Sequence, residues 1–475
     1  MSDMTGGKPK IGTPKIATSP IEVLGRARAP AQETRAGALS RRAALLAPLA
    51  LAGCDTIEGW FTTKKDPLPG KREPLGAQRR GFNPDNPAPT VALPPPVRDM
   101  AWPQAAGDPT HLTGHLSANE TLKQAWTADV GEGGGKRRQI LAQPVVANGV
   151  VFAMDSDSVV TAFNLNAGTK LWRTPTVNED LESTNVGGGL CWDNGTLYAV
   201  NGMAELLALD AAKGTVRWRH GIDVPARSAP TVAEGRIYLI TIDSKLLALS
   251  ADDGHLLWSY QATQADTTVL GSPAPAFAQG IVVAGFGSGE ISAVRAETGN
   301  VIWTDGLGLA QGRPSLVDFL AIRGEPVISN GQVFATGLGG LTIAADLLTG
   351  RRVWERRVAS ENTPYIAGDW MFLISTDQDV GAINTNDARV AWVVSLPRWA
   401  NPDKKRDVIT WYGPVLAGNR LIVLGSNSEA RSLNPLTGET VTTLTLSAAP
   451  TPFTPVVVDG TMLVVTDDGK LTAWR

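Results

Sequence analysis

The chain has 475 residues, a formal net charge of −3, 43% hydrophobic and 19% charged residues, 50 Gly and 32 Pro. That length suits a few domains or one large repeat array, the near-neutral balance gives no general attraction for nucleic acid, and the turn-forming residues favour an all-β fold. Two cysteines, Cys54 and Cys191, cannot build a disulfide framework or a Cys-rich metal centre.

In chain order, residues 1–39 are polar and carry no hydrophobic periodicity. Ser40-Arg41-Arg42 then precedes the apolar run Ala43 to Leu51, which is too short for a bilayer-spanning helix of roughly 20 residues. A basic flank, a short apolar stretch and small residues before a Cys read as a secretory signal over 1–53. Leu51-Ala52-Gly53-Cys54 resembles the bacterial lipobox, which implies cleavage before Cys54 and acylation of that residue. Several acyl chains anchor stably, at about 0.8 kcal/mol per buried CH₂. The resemblance implies an outer-membrane anchor facing the periplasm, while Asp55 directly after the Cys leaves inner-membrane retention open. Residues 54–118 are Pro-rich, including Pro94-Pro95-Pro96, show little periodic apolar pattern, and are expected to form a flexible tether.

From about Leu122 the sequence repeats. One copy runs Ala229-Pro230-Thr231-Val232, a Gly235 turn, an apolar run to Ile242, an Asp243-Ser244 turn, Leu246 to Leu249, a Gly254 turn and a closing Trp258. The closing Trp returns at Trp172, Trp218, Trp303, Trp354 and Trp392, with Gly168, Gly214, Gly299 and Gly350 four residues before the first four and Ala388 before the last. A seventh copy has Thr442 in the Trp position, and an eighth ends with the chain at Ala473-Trp474-Arg475. A period of about 40–50 residues with four short strands per unit predicts propeller blades. The last copy has three strands, and 122–128, with Trp126, matches the missing fourth. The expected fold over 119–475 is therefore an all-β, eight-bladed β-propeller of four-stranded antiparallel blades. Its N-terminal strand completes the last blade, so no long edge stays open.

The Asp-x-x-x-Gly-x-x-x-Trp ending, seen from Asp210 to Trp218, resembles the repeat shared by pyrroloquinoline-quinone dehydrogenases and the BamB lipoproteins of the outer-membrane β-barrel assembly machinery. Together with the lipobox, and with Gly59-Trp60-Phe61 and Pro67 to Arg72 in the tether, the array is more similar to the BamB family. That resemblance implies a scaffold without catalytic residues, metal or cofactor. Its implied partners are the POTRA domains of BamA, other barrel-assembly lipoproteins, nascent outer-membrane proteins and the membrane. The residues it implies for partner contact are Val269 and Leu270 before Gly271, and Asp318, Arg323 and Glu325 before the fifth blade. Apolar loops also suit binding on physical grounds. A long insertion, 397–407, adds Trp399 beside four basic residues. Two rival readings stay open: a quinoprotein oxidoreductase or sensor, and an envelope propeller that binds another protein or polymer. Against the first, the two cysteines are not adjacent, and Cys191 lies in an apolar strand as a structural thiol.

Overall fold

The computed structural model describes residues 81–135, 138–177, 187–265, 271–308 and 320–475, and among these there is no helix. They form eight four-stranded antiparallel sheets and one two-stranded hairpin. Blade 3 shows the pattern: Thr231–Ala233, Arg236–Ile240, Lys245–Ser250 and Leu256–Gln261, paired in sequence order from the channel outward. Blades 1 and 2 run through 145–175 and 189–221, blades 4 to 6 through 276–306, 327–356 and 365–395, and blade 7 through 411–445. Blade 8 takes Val456–Val458, Thr461–Val465 and Lys470–Trp474 from the end of the chain and Gln124–Asp129 from before blade 1. These last two strands pair antiparallel, Trp126 opposite Ala473 and Asp129 opposite Lys470.

Burial explains why the strands read as they do. The middle strands, such as Lys245–Ser250, are buried at four successive positions, because both faces of each sheet lie against neighbouring sheets. The outer strands, such as Leu256–Gln261, alternate between exposed and half-buried. Within a blade the second strand offers an aromatic ring to the closing Trp. Phe152–Trp172, Tyr198–Trp218 and Tyr238–Trp258 have centroids 5.8, 6.0 and 6.0 Å apart.

Each closing Trp also reaches into the next blade. Trp258 Nε1 donates to Ala296 O at 2.9 Å, Trp303 to Leu347 O at 2.8 Å and Trp392 to Pro435 O at 3.0 Å. The Gly of that next turn takes a positive φ, +72° at Gly299, and a Cβ there would stand 2.6 Å from Trp258 Cε3. So the Gly four residues before one Trp seats the Trp of the preceding blade. The spacing is a property of the joint between sheets.

Residues 81–121 fall largely within the stretch expected to be a tether, yet they run across the channel and bond to every blade. Trp102 N and O pair with Val146 O and N at 2.7 and 2.8 Å in blade 1. Pro103 O accepts from Trp192 N in blade 2, and the Gln104 amide brackets Val232 N and O in blade 3. Pro109 O accepts from Phe277 N and Thr110 O from Ile328 N in blades 4 and 5. Tyr365 Oη of blade 6 donates to Gly114 O at 2.7 Å, Leu116 N donates to Leu416 O of blade 7, and Ala118 bridges Gly460 of blade 8. The physical reason lies in the innermost strands. Each presents an unpaired edge to the channel, and buried backbone donors and acceptors without partners are costly. The strap satisfies them without forming strands, so its sequence shows no period. The insertion at 397–407 is likewise ordered, as a hairpin of Trp399–Asn401 against Arg406–Val408.

Candidate functional site

The strap closes one end of the channel. The other end, where each blade's outer strand leads into the next blade's inner strand, opens into a polar cavity floored by Ala105 and Ala106 of the strap. Its wall repeats with the fold. In five blades the residue before the blade-opening proline faces it: Gln143, Ala229, Glu325, Thr363 and Thr454. The proline fixes the backbone at the start of each inner strand, so the preceding residue lands at the same height in the channel each time.

Of the residues singled out in the sequence, Arg323 and Glu325 lie in this wall, half-buried, rather than on an outward-facing rim. Arg323 Nη1 donates to Glu361 Oε2 at 2.8 Å. Glu325 N donates to Thr363 Oγ1 at 3.1 Å, and the Thr363 hydroxyl donates back to the Glu325 carboxylate. Asn362 ties blades 6 and 7, donating to Trp411 O at 3.2 Å and accepting from Gly413 N at 3.2 Å. Burial pushes the Tyr412 hydroxyl up to about 12, with Glu361 and Asp467 adding to the rise and Arg323 opposing it. Beneath Glu325, His111 of the strap is buried with Nδ1 2.8 Å from Pro326 O, and its Nε2 has no partner. Burial lowers its pKa, and Glu325 opposes that shift.

Val269, Leu270 and Asp318 lie outside the described residues, as does Cys54. Trp399 is placed elsewhere, half-buried on the hairpin and paired with Val408, with Lys404, Lys405 and Arg406 exposed beside it. The structure therefore brings Arg323 and Glu325 together and leaves Trp399 apart. Sequence reading passed over Arg227, Glu361, Thr363 and Gln143. The recurrent Xaa-Pro at blade starts was the available signal for two of them, while Arg227 and Glu361 carry none. Cys191 is buried, and burial drives its thiol far above its ordinary range. Among the described residues no group of three or more His, Cys, Asp or Glu side chains is gathered in a metal-holding arrangement.

Comparison with known proteins matches residues 113–189 and 157–394 to the family described as outer membrane protein assembly factor BamB. The BamB of Salmonella typhimurium is 30% identical over 358 residues, covering 74% of this chain and 88% of its own. That of Escherichia coli is 29% identical over 355 residues, with the same coverage of 74% and 88%. Among solved structures, Moraxella catarrhalis BamB superposes with a TM-score of 0.63 at 22% identity, over 75% of this chain and 100% of that one. A quinohemoprotein alcohol dehydrogenase from Comamonas testosteroni gives a TM-score of 0.60 at 14% identity, over 80% and 81%. At that identity the likeness is one of fold alone.

Proposed function

Because the chain belongs to the BamB family of outer membrane protein assembly factors, we propose that it is a non-enzymatic scaffold of barrel assembly, held at the outer membrane through Cys54 and binding the POTRA domains of BamA. The family match over residues 113–394 carries this reading. Val269 and Leu270 are the contact residues proposed, since exposed apolar residues suit a protein partner, and Asp318 is proposed with them as the acidic residue that the resemblance to the family implies. Sequence supports a scaffold over a quinoprotein enzyme: Cys54 and Cys191 are far apart, and likeness to the dehydrogenase stops at the fold.

Purification of the membrane-extracted protein should recover BamA, and replacing both Val269 and Leu270 with Asp should reduce that yield several-fold while the ring stays folded. Unchanged recovery would remove the loop from the interface, and absence of BamA from the wild-type sample would overturn the assembly reading. Saturable binding of pyrroloquinoline quinone with calcium, accompanied by dye reduction, would establish the enzyme reading instead.

A further inference from the structure

The channel mouth is lined by two arginines and two glutamates, Arg227, Arg323, Glu325 and Glu361, of which, among the described residues, only Arg323 and Glu361 form an ion pair. Arg323 is engaged by Glu361 through Nη1, and Glu325 is engaged by the Thr363 hydroxyl. Arg227, at the end of the loop leading into blade 3, lines the same cavity and also the adjoining cleft beside Thr241 and Ser244. Its guanidinium makes no ion pair and no hydrogen bond among the described residues, although its side chain is half-buried. Its backbone carbonyl is taken, by Ser272 N at 3.2 Å. That bond holds Gly271-Ser272 beside Arg227. Arg323 Nη2 stands 4.0 Å from where a Cβ on Gly271 would be. Gly271 adopts φ +90°, and among the described residues a Cβ there would meet only Arg323 Nη2, so Gly271 leaves this part of the cavity that Arg227 and Arg323 both line open.

A cation withdrawn from bulk water without a counter-charge loses solvation that only a partner restores. Guanidinium groups present planar, forked donors that match a carboxylate. We propose that Arg227, with Arg323 Nη2 and the Ser272 hydroxyl, forms a carboxylate-binding site in the wall of the channel mouth. The strap floor at Ala105–Ala106 means the ligand enters from the loop face. The carboxylate comes either from an acidic side chain of a polypeptide inserted into the mouth or from a small free acid. The site stands independently of BamA recovery, because it is read on the isolated protein.

Calorimetric titration of the full chain at low salt with the blocked peptide Ac-Gly-Glu-Glu-Gly-NH₂, and separately with glutarate, tests the site. Saturable binding is expected, weakened by added salt. It should fall tenfold or more in Arg227→Ala and in Arg227→Gln, and stay unchanged in Arg295→Ala, an exposed arginine of blade 4 that lines neither the cavity nor the adjoining cleft. The Gln-Gln form of the peptide should not bind. Tighter binding of the Glu peptide assigns the site to polypeptide, and equal or tighter binding of glutarate assigns it to a free acid. If neither ligand binds, or if both Arg227 variants retain wild-type melting and wild-type affinity, Arg227 is a solvated wall residue and the proposal fails.

Discussion

At the scale of single residues, the joint between blades rests on a Gly with positive φ and the indole it seats. Replacing Gly299 by Ala forces a Cβ to within 2.6 Å of Trp258 and strains a φ of +72°. The left-handed backbone and the overpacking together should cost about 2–4 kcal/mol, measured as a lowered urea midpoint. Ala388 is the informative exception, since it holds φ +60° with its methyl buried in the packing of blade 6. There the change to Gly relieves backbone strain but removes the methyl contact, so Ala388→Gly should stay within about 1 kcal/mol of wild type. The same geometry explains the Gly-x-x-x-Trp spacing in one dimension. Which Trp each Gly seats is a fact about neighbouring sheets that no single repeat contains.

At the scale of elements, the strap is the feature that sequence patterning misread. Its residues are Pro-rich and polar with no strand period, and composition alone reads such a segment as a tether. Its order comes from the ring, whose eight inner edges need backbone partners, and from anchors such as Trp102, which is 1% exposed with Nε1 3.2 Å from Gln143 Oε1. Asp85 pairs with the buried Arg356 of blade 5, tying down the start of the strap. His111 gives the strap a pH dependence. Burial lowers its folded pKa below the ordinary value of 6.5. As pH falls through about 6.5 the unfolded chain takes up a proton that the folded chain resists, so stability is lost on the acidic side. The urea midpoint should therefore drop between pH 7.5 and 5.5 by more in wild type than in His111→Gln, and equal drops would show that His111 is not responsible. The hairpin at 399–408 makes the same point: its length was visible as an insertion, but its pairing was not.

At the scale of the whole molecule, the ring is a chain of sheet-to-sheet joints that the first and last strands complete. Gln124–Asp129 and Lys470–Trp474 share five paired positions, and Trp126 Nε1 carries the joint onward to Leu165 O at 3.1 Å in blade 1. Trp126→Ala should therefore loosen blade 8 and blade 1 together, at a cost of about 3–5 kcal/mol if the site cannot collapse. Hydrogen exchange should rise in Lys470–Trp474 and Lys170–Pro175 while blade 4 stays protected. Uniform protection would show that closure does not depend on that indole.

The amino-acid sequence by itself determined the eightfold repeat, the four short strands per unit and the turns, because each follows from local periodicity and from residues with restricted backbone choices. It also marked Arg323 and Glu325. Only the tertiary structure decided that these two face a channel, that Arg227 stands beside them without a counter-charge, and that a segment without strand character floors the cavity. The physical reason is that these features arise where blades distant in sequence meet. Burial, unpaired edges and unmatched charge exist there only once the circle of sheets has formed.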